Sequence, residues 1–166
     1  PMGEDRRAIG VFDSGIGGLT AMRELAALLP NENIIYFGDT GRVPYGTRSR
    51  ETIIKYARQD ARFLCGFDIK LLLIACGTAS YAALEVLQKE LPIPVYGVVE
   101  SASRRAVERT RNRRVAVLAT PATISGHAYG NCLRGLMPGI EVLEKACPLF
   151  VPVVENGRFE PEDPIV

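Results

Sequence analysis

Residues 70 to 80 read Lys70-Leu71-Leu72-Leu73-Ile74-Ala75-Cys76-Gly77-Thr78-Ala79-Ser80. The apolar run does not alternate with polar residues, the pattern of a strand buried on both faces and so of a parallel sheet covered by helices. It ends on a thiol. Tyr81-Ala82-Ala83-Leu84-Glu85-Val86-Leu87 follows at helical spacing, which places Cys76 where a strand hands over to a helix. Amide groups at a helix N-terminus favour a nearby anion, so this position is expected to lower a cysteine's pKa. Open parallel sheets also bind their ligands at the carboxyl ends of the strands.

The same strand, loop, helix order recurs along the chain. Ala8-Ile9-Gly10-Val11-Phe12 reads as a first strand, followed by the turn Asp13-Ser14-Gly15-Ile16-Gly17-Gly18 and a helix from Leu19 to Leu29. Asn33-Ile34-Ile35-Tyr36-Phe37 is a second strand, followed by a polar loop and a helix from Ser49 to about Cys65. Val95 to Val99 is a fourth strand, Glu100-Ser101 cap a helix to Thr110, and Val115 to Ala119 is a fifth. Thr120-Pro121-Ala122-Thr123 opens one more helix, and Gly139 to Leu143 is a weaker sixth strand.

This alternation predicts an α/β fold: a parallel-sheet domain with helices on both faces, then a second, similar α/β domain. Pro92-Ile93-Pro94 marks the boundary, giving a first domain over residues 1–96 that carries Cys76 and a second over 97–166. Only two or three strands fall in the second part, and it ends on the acidic, proline-rich Glu160-Pro161-Glu162-Asp163-Pro164. The second domain is therefore expected to be incomplete.

Twenty Lys plus Arg stand against 19 Asp plus Glu, so charge points to neither nucleic acid nor a membrane surface. A small-molecule partner is expected, and self-association into a homodimer is left open. The basic run Arg104 to Arg114 reads as a solvated helix face and the loop after it. Cysteines at 65, 76, 132 and 147 form no CxxC pair and have one histidine, His127, to accompany them. Neither a metal site nor a disulfide framework is suggested, and no cofactor follows. The first seven residues lack a signal peptide's apolar core, and no run is long enough to span a bilayer. A reducing, cytoplasmic setting is the expectation.

Three strand ends carry chemistry: Asp13-Ser14, Asp39-Thr40 and Cys76-Gly77-Thr78. In a parallel sheet these ends share one edge, and Thr120 and Thr123 add hydroxyls from the second half. No Lys or Arg sits on the strand tips, so a substrate carboxylate would be held by hydroxyls and backbone N–H groups. A nucleotide-binding, Rossmann-like module is the competing reading, because Gly15-Ile16-Gly17-Gly18 resembles half a dinucleotide fingerprint and Asp39 lies where an acidic residue would meet a ribose. Against it, Thr20 occupies the third glycine position. Buried cysteines are commonly inert packing, the expectation for Cys65 and Cys132; the strand-end position of Cys76 points instead to a nucleophile or base. His127 reads as a surface or satisfied histidine.

Five segments, Phe12 to Thr20, Pro44-Tyr45-Gly46, Ala75 to Ser80, Ala119 to Ser125 and Ala146 to Pro152, resemble in order the motifs of the glutamate racemases. The resemblance implies a cofactor-independent isomerase that makes D-glutamate for peptidoglycan, hence for cell-wall biogenesis and cell shape. It also implies two similar α/β domains, each contributing one cysteine to the substrate's α-carbon. Cys76 would be one of these acid/base thiols, with Asp13 assisting its proton transfer. Asp13, Ser14, Tyr45, Gly46, Gly77, Thr78, Thr120 and Thr123 would line the glutamate pocket. A related cysteine-dependent racemase or decarboxylase of another small carboxylate is a further alternative. Two departures stand out. The family commonly has Asn where this chain has Gly77, and its second catalytic cysteine belongs to a Cys-Thr-His motif absent from this sequence; Cys147 matches a different family motif.

Inverting a stereocentre takes a base on one face and an acid on the other. With one of the two thiols, the 166-residue chain alone is expected to be inactive. Chiral chromatography of L- or D-glutamate incubated with the purified chain should show no interconversion above the uncatalysed rate.

Overall fold

The fold, taken from a computed structural model, is described for residues 5–158, 160 and 162. Strand β1 (Ala8–Asp13) leads to α1 (Leu19–Leu28), β2 (Ile34–Gly38), a single 3₁₀ turn (Tyr45–Thr47) and α2 (Arg50–Cys65). Then come β3 (Ile69–Ile74), α3 (Gly77–Glu90), β4 (Val95–Gly97) and α4 (Val98–Arg109). The chain continues through β5 (Arg114–Ala119), α5 (Pro121–Ser125), α6 (Ala128–Leu136), β6 (Glu141–Ala146) and α7 (Phe150–Glu155).

Two parallel sheets result. The first has the order β2-β1-β3-β4, and β1 is buried along its whole length. Alternate strand residues point to opposite faces. Phe12, Leu72 and Ile74 pack on one face with Ile53, Ala57 and Leu64 of α2 and Ala79, Ala83 and Leu87 of α3. Small residues at those helix positions let α2 and α3 lie close together over the sheet. Because β1 to β2 runs one way across the sheet and β2 to β3 the other, right-handed crossovers set α1 on the face opposite α2 and α3. Helix α1 covers that face lightly and buries none of its own residues.

The second sheet is β5 paired with β6 over six residues. Every second residue is exposed, including Leu118 at 55% and Leu143 at 66%. Among the described residues this face is open. No helix among them is long and apolar enough to cross a membrane.

Four local expectations need correction. The fourth strand stops at Gly97 and α4 starts at once, because Ser80 Oγ accepts the Val98 N–H at 3.1 Å and supplies a cap. The helix expected after Thr120 is broken into α5 and α6 at Gly126-His127, where His127 has φ 51°. Gly126 lies so close to α3 that an added Cβ would stand 1.9 Å from the Tyr81 ring. The sixth strand runs from Glu141, two residues later than its apolar start suggests. Helix α7 has no counterpart in the sequence reading; its Pro152 falls in the first turn, where backbone N–H groups lack helical partners in any case.

Gly126 and Gly135 therefore predict opposite outcomes. Gly126→Ala should destabilise the chain by about 1–3 kcal/mol through overpacking. Gly135→Ala, in α6 with nothing within 4 Å of the new methyl, should stabilise it by up to about 1 kcal/mol. Paired thermal melts check both signs.

Candidate active site

The register that pairs Asp13 with Gly38 and Phe12 with Ile74 brings three strand ends to one edge. A cavity of about 540 Å³ opens there, and it is lined by Asp13, Ser14, Tyr45, Gly46, Cys76, Gly77, Thr78, Thr120 and Thr123. Every residue that the family resemblance placed in the pocket borders this space, whereas Asp39 and Thr40, at the end of β2, do not. No Lys, Arg or His among the described residues lines it.

Asp13 closes the glycine-rich turn on itself. Its Oδ2 accepts the N–H groups of Gly15 at 3.1 Å and Gly18 at 3.0 Å. A Cβ at Gly18 would sit 2.6 Å from the Asp13 Cβ, so the loop can wrap the carboxylate only with glycine there. This answers the nucleotide reading: a carboxylate already holds amides of the turn that a pyrophosphate would need. Asp39 is equally committed, accepting Arg42 Nε at 2.6 Å and the Tyr45 hydroxyl.

Cys76 is the N-cap of α3, 6% exposed. Its Sγ accepts the Ala79 N–H at 3.4 Å and donates to Ser14 Oγ at 3.4 Å. Burial, then the negative charge of Asp13, pushes the thiol up, against the lowering effect of the Ser14 and Ala79 hydrogen bonds. The expected lowering by the helix end is thus overruled. Helix amides favour the thiolate, but desolvation and a neighbouring carboxylate oppose it more strongly. The resting group is a neutral thiol.

Tyr45 borders the cavity, yet its hydroxyl is turned away into a buried cluster. It meets Asp39 and, at 2.7 Å, Asp60 Oδ2, while Arg42 reaches Asp60 Oδ1 at 2.7 Å. A phenol has one proton and cannot donate to two carboxylates, so a proton on Asp60 completes the set. Burial, helped by the Asp39 charge and opposed by the Tyr45 and Arg42 contacts, raises Asp60 to about 6. The cluster holds the turn in place. Gly46 then abuts the second sheet's unit, where an added Cβ would stand 2.4 Å from Thr120 Cβ. Thr78, Thr120 and Thr123 form a ring of hydroxyls at 2.9, 3.1 and 3.0 Å that ties α3 to the segment after β5.

Sequence reasoning left out several groups. Glu155, in α7, accepts the Ile16 N–H at 3.2 Å and lines the cavity, as do Tyr129 and Cys147. Cys147 donates to the Lys145 carbonyl at 3.7 Å. Asp60 had a legible signal, a charged residue among the apolar positions 53, 57, 61 and 64 of one helix face. Cys65 and Cys132 are half-buried, and Cys132 lines a separate groove between α3, α4 and α6. His127 is exposed, with Nδ1 2.9 Å from Glu144 Oε2. Arg104 and Arg105 of the basic run pair with Glu100 and Glu108 on the surface.

The Asp/Glu/Hydantoin racemase family model matches residues 9–158. The chain belongs to this family. It is 54% identical over 156 residues to the glutamate racemase of Geobacter metallireducens, covering 94% of this chain and 58% of that protein. Among solved structures, glutamate racemase RacE1 of Bacillus anthracis superposes with a TM-score of 0.89 at 40% identity, over 92% of this chain and 57% of that one. The Francisella tularensis glutamate racemase, solved with D-glutamate, gives 0.86 at 46% identity over 95% and 59%. The chain thus spans rather less than two thirds of these relatives' length.

Asp60 binds its proton more tightly in the folded chain than in the unfolded one. The stability this contributes is fully present below about pH 4 and is lost as pH rises through about 6. Raising a carboxyl from the ordinary aspartate value to about 6 is worth about 3 kcal/mol. Asp60→Asn keeps an acceptor for Arg42 and a donor for Tyr45, and should flatten that part of the stability profile in denaturant melts between about pH 4 and 7.

Proposed function

We propose that this chain is part of a glutamate racemase in which Cys76 exchanges a proton with the α-carbon of glutamate, assisted by Asp13. The observation that carries the proposal is a buried thiol, hydrogen-bonded to Ser14, beside a carboxylate, in a cavity with no cationic side chain among the described residues. Family membership and relatives described as glutamate racemases support the substrate. The division into a first domain over 1–96 and a second over 97–166 belongs to the same reading.

The chemistry follows from charge. The α-ammonium of an amino acid is drawn to Asp13, the carboxylate whose charge acts on the thiol. Once that ammonium is seated, it offsets the carboxylate charge that holds the Cys76 proton, and the thiol becomes easier to ionise. The substrate carboxylates are met by neutral donors: Ser14, backbone N–H groups at the start of α3, and threonine hydroxyls that exchange a bond of their ring for one to the ligand. The thiol passes its proton to the Asp13 carboxylate, the thiolate so formed takes the α-proton, and an acid on the other face returns one to the α-carbon. By family resemblance that acid is a cysteine in a Cys-Thr-His motif that this sequence does not contain; Cys147 is not assigned the role. Positioning and exclusion of water carry much of the rate, because a thiolate is a weak base toward such a carbon acid. The product, D-glutamate, serves peptidoglycan assembly in the cytoplasm, a setting that suits four unpaired cysteines.

In the full-length protein, Cys76→Ala should lower racemisation in both directions by about 10²–10⁴-fold or more. Circular dichroism time courses started from L- and from D-glutamate measure it, and near-normal turnover would refute the role. Aspartate and a hydantoin, assayed alongside, test the neighbouring substrates of the family.

A further inference from the structure

Helix α6 brings a tyrosine to the cavity that no sequence motif accounts for. Tyr129 is half-buried in the cavity wall, and its hydroxyl makes no hydrogen bond with another described residue. It faces the start of α3. A Cβ built on Gly77 would lie 3.3 Å from Tyr129 Oη and 4.0 Å from Cε2, so the hydroxyl overhangs the space left by a residue without a side chain. Gly77 directly follows the thiol.

The other cavity hydroxyls have partners within the chain, although Ser14 keeps its own O–H free to donate. Thr78, Thr120 and Thr123 bond to one another, Ser14 accepts from Cys76, and Tyr45 is turned into its carboxylate cluster. Ser103 borders the cavity too, with its Oγ buried and unpaired. Tyr129 thus offers an O–H without an acceptor, and among the described hydroxyls of the cavity it is the one that stands over the gap at Gly77. Burial and then the charge of Cys76 raise its pKa, which keeps it a donor wherever the thiol works. A partly desolvated O–H without an acceptor is unfavourable, and a charged acceptor relieves it best.

We infer that Tyr129 is a substrate-recognising residue whose hydroxyl donates to a carboxylate oxygen of the bound amino acid, through the gap that Gly77 leaves beside the thiol. The inference rests on the racemase reading above and adds to it a contact made by the second half of the chain. A carboxylate ligand positioned between the Tyr129 hydroxyl and the N-terminus of α3 would be held from both sheets.

The test is Tyr129→Phe in the full-length protein, which keeps the ring and removes only the donor. Loss of one hydrogen bond to a charged acceptor should raise KM for glutamate by about 10–100-fold while the thermal midpoint stays within about 2 °C of the parent. An accompanying fall in kcat would mark the acceptor as the α-carboxylate, whose oxygens gain charge as the α-proton leaves. An unchanged KM in a variant of an active parent would overturn the inference and leave the racemase reading intact. A fall in thermal midpoint with KM unchanged would assign Tyr129 a packing role and overturn it too. A full-length parent that does not turn over glutamate would overturn both.

Discussion

The parallel register of β1 between β2 and β3 is the constraint on which the site depends. Parallel strands all finish on the same edge, so one pairing pattern delivers Asp13, Asp39 and Cys76 together without contacts between their side chains. Burial of β1 and of the α2–α3 face enforces that register. A one-residue slip would turn Phe12 and Ile74 out of the core and exchange them for their neighbours. The chemistry at the edge is thus stabilised by apolar contacts well away from it.

At that edge the balance of charge matters more than the helix dipole. A helix N-terminus contributes on the order of 1 kcal/mol toward an anion, whereas a buried thiol beside a carboxylate is opposed by both desolvation and repulsion. The proton therefore stays on sulfur until another charge offsets that of Asp13. The arrangement suits a group that must serve as acid in one direction and base in the other, since a cationic substrate group tips the balance only when it arrives. A permanent thiolate would also be more open to oxidation.

The strand ends were legible because long apolar runs and glycine-rich turns are local signals. The run Leu71 to Ala75 marked a strand, which spans Ile69–Ile74 and buries Leu72 and Ile74 but leaves Leu71 and Leu73 partly exposed under the thin cover of α1, so only one of its faces is fully buried; what followed it had to stand at a sheet edge. The missed features arise from contacts between distant segments. Asp60 lies in the middle of a helix and gains its meaning from Tyr45 and Arg42, which approach from the loop after β2. The break between α5 and α6 is set by the Tyr81 ring pressing on Gly126, and helical periodicity alone could not reveal it. That break also aims Tyr129, so the same tertiary contact hid both. Glu155 lies in a short helix after the last expected strand, and only its contact with the distant Ile16 N–H brings it to the cavity.

The two units are joined where close approach requires the smallest residues and shared hydroxyls. Gly46 meets Thr120 so closely that a methyl group would collide with it, and the three threonines complete a ring of donors and acceptors at the same junction. Such a ring satisfies its own members, so a ligand that enters must compete with it or bind beside it. A ligand beside it lies against the start of α3, where helix amides remain open toward the cavity and the thiol is adjacent. An anionic group drawn to those amides is carried toward Cys76 by the same force that binds it, and on the proposed function this makes recognition and alignment for proton transfer a single event.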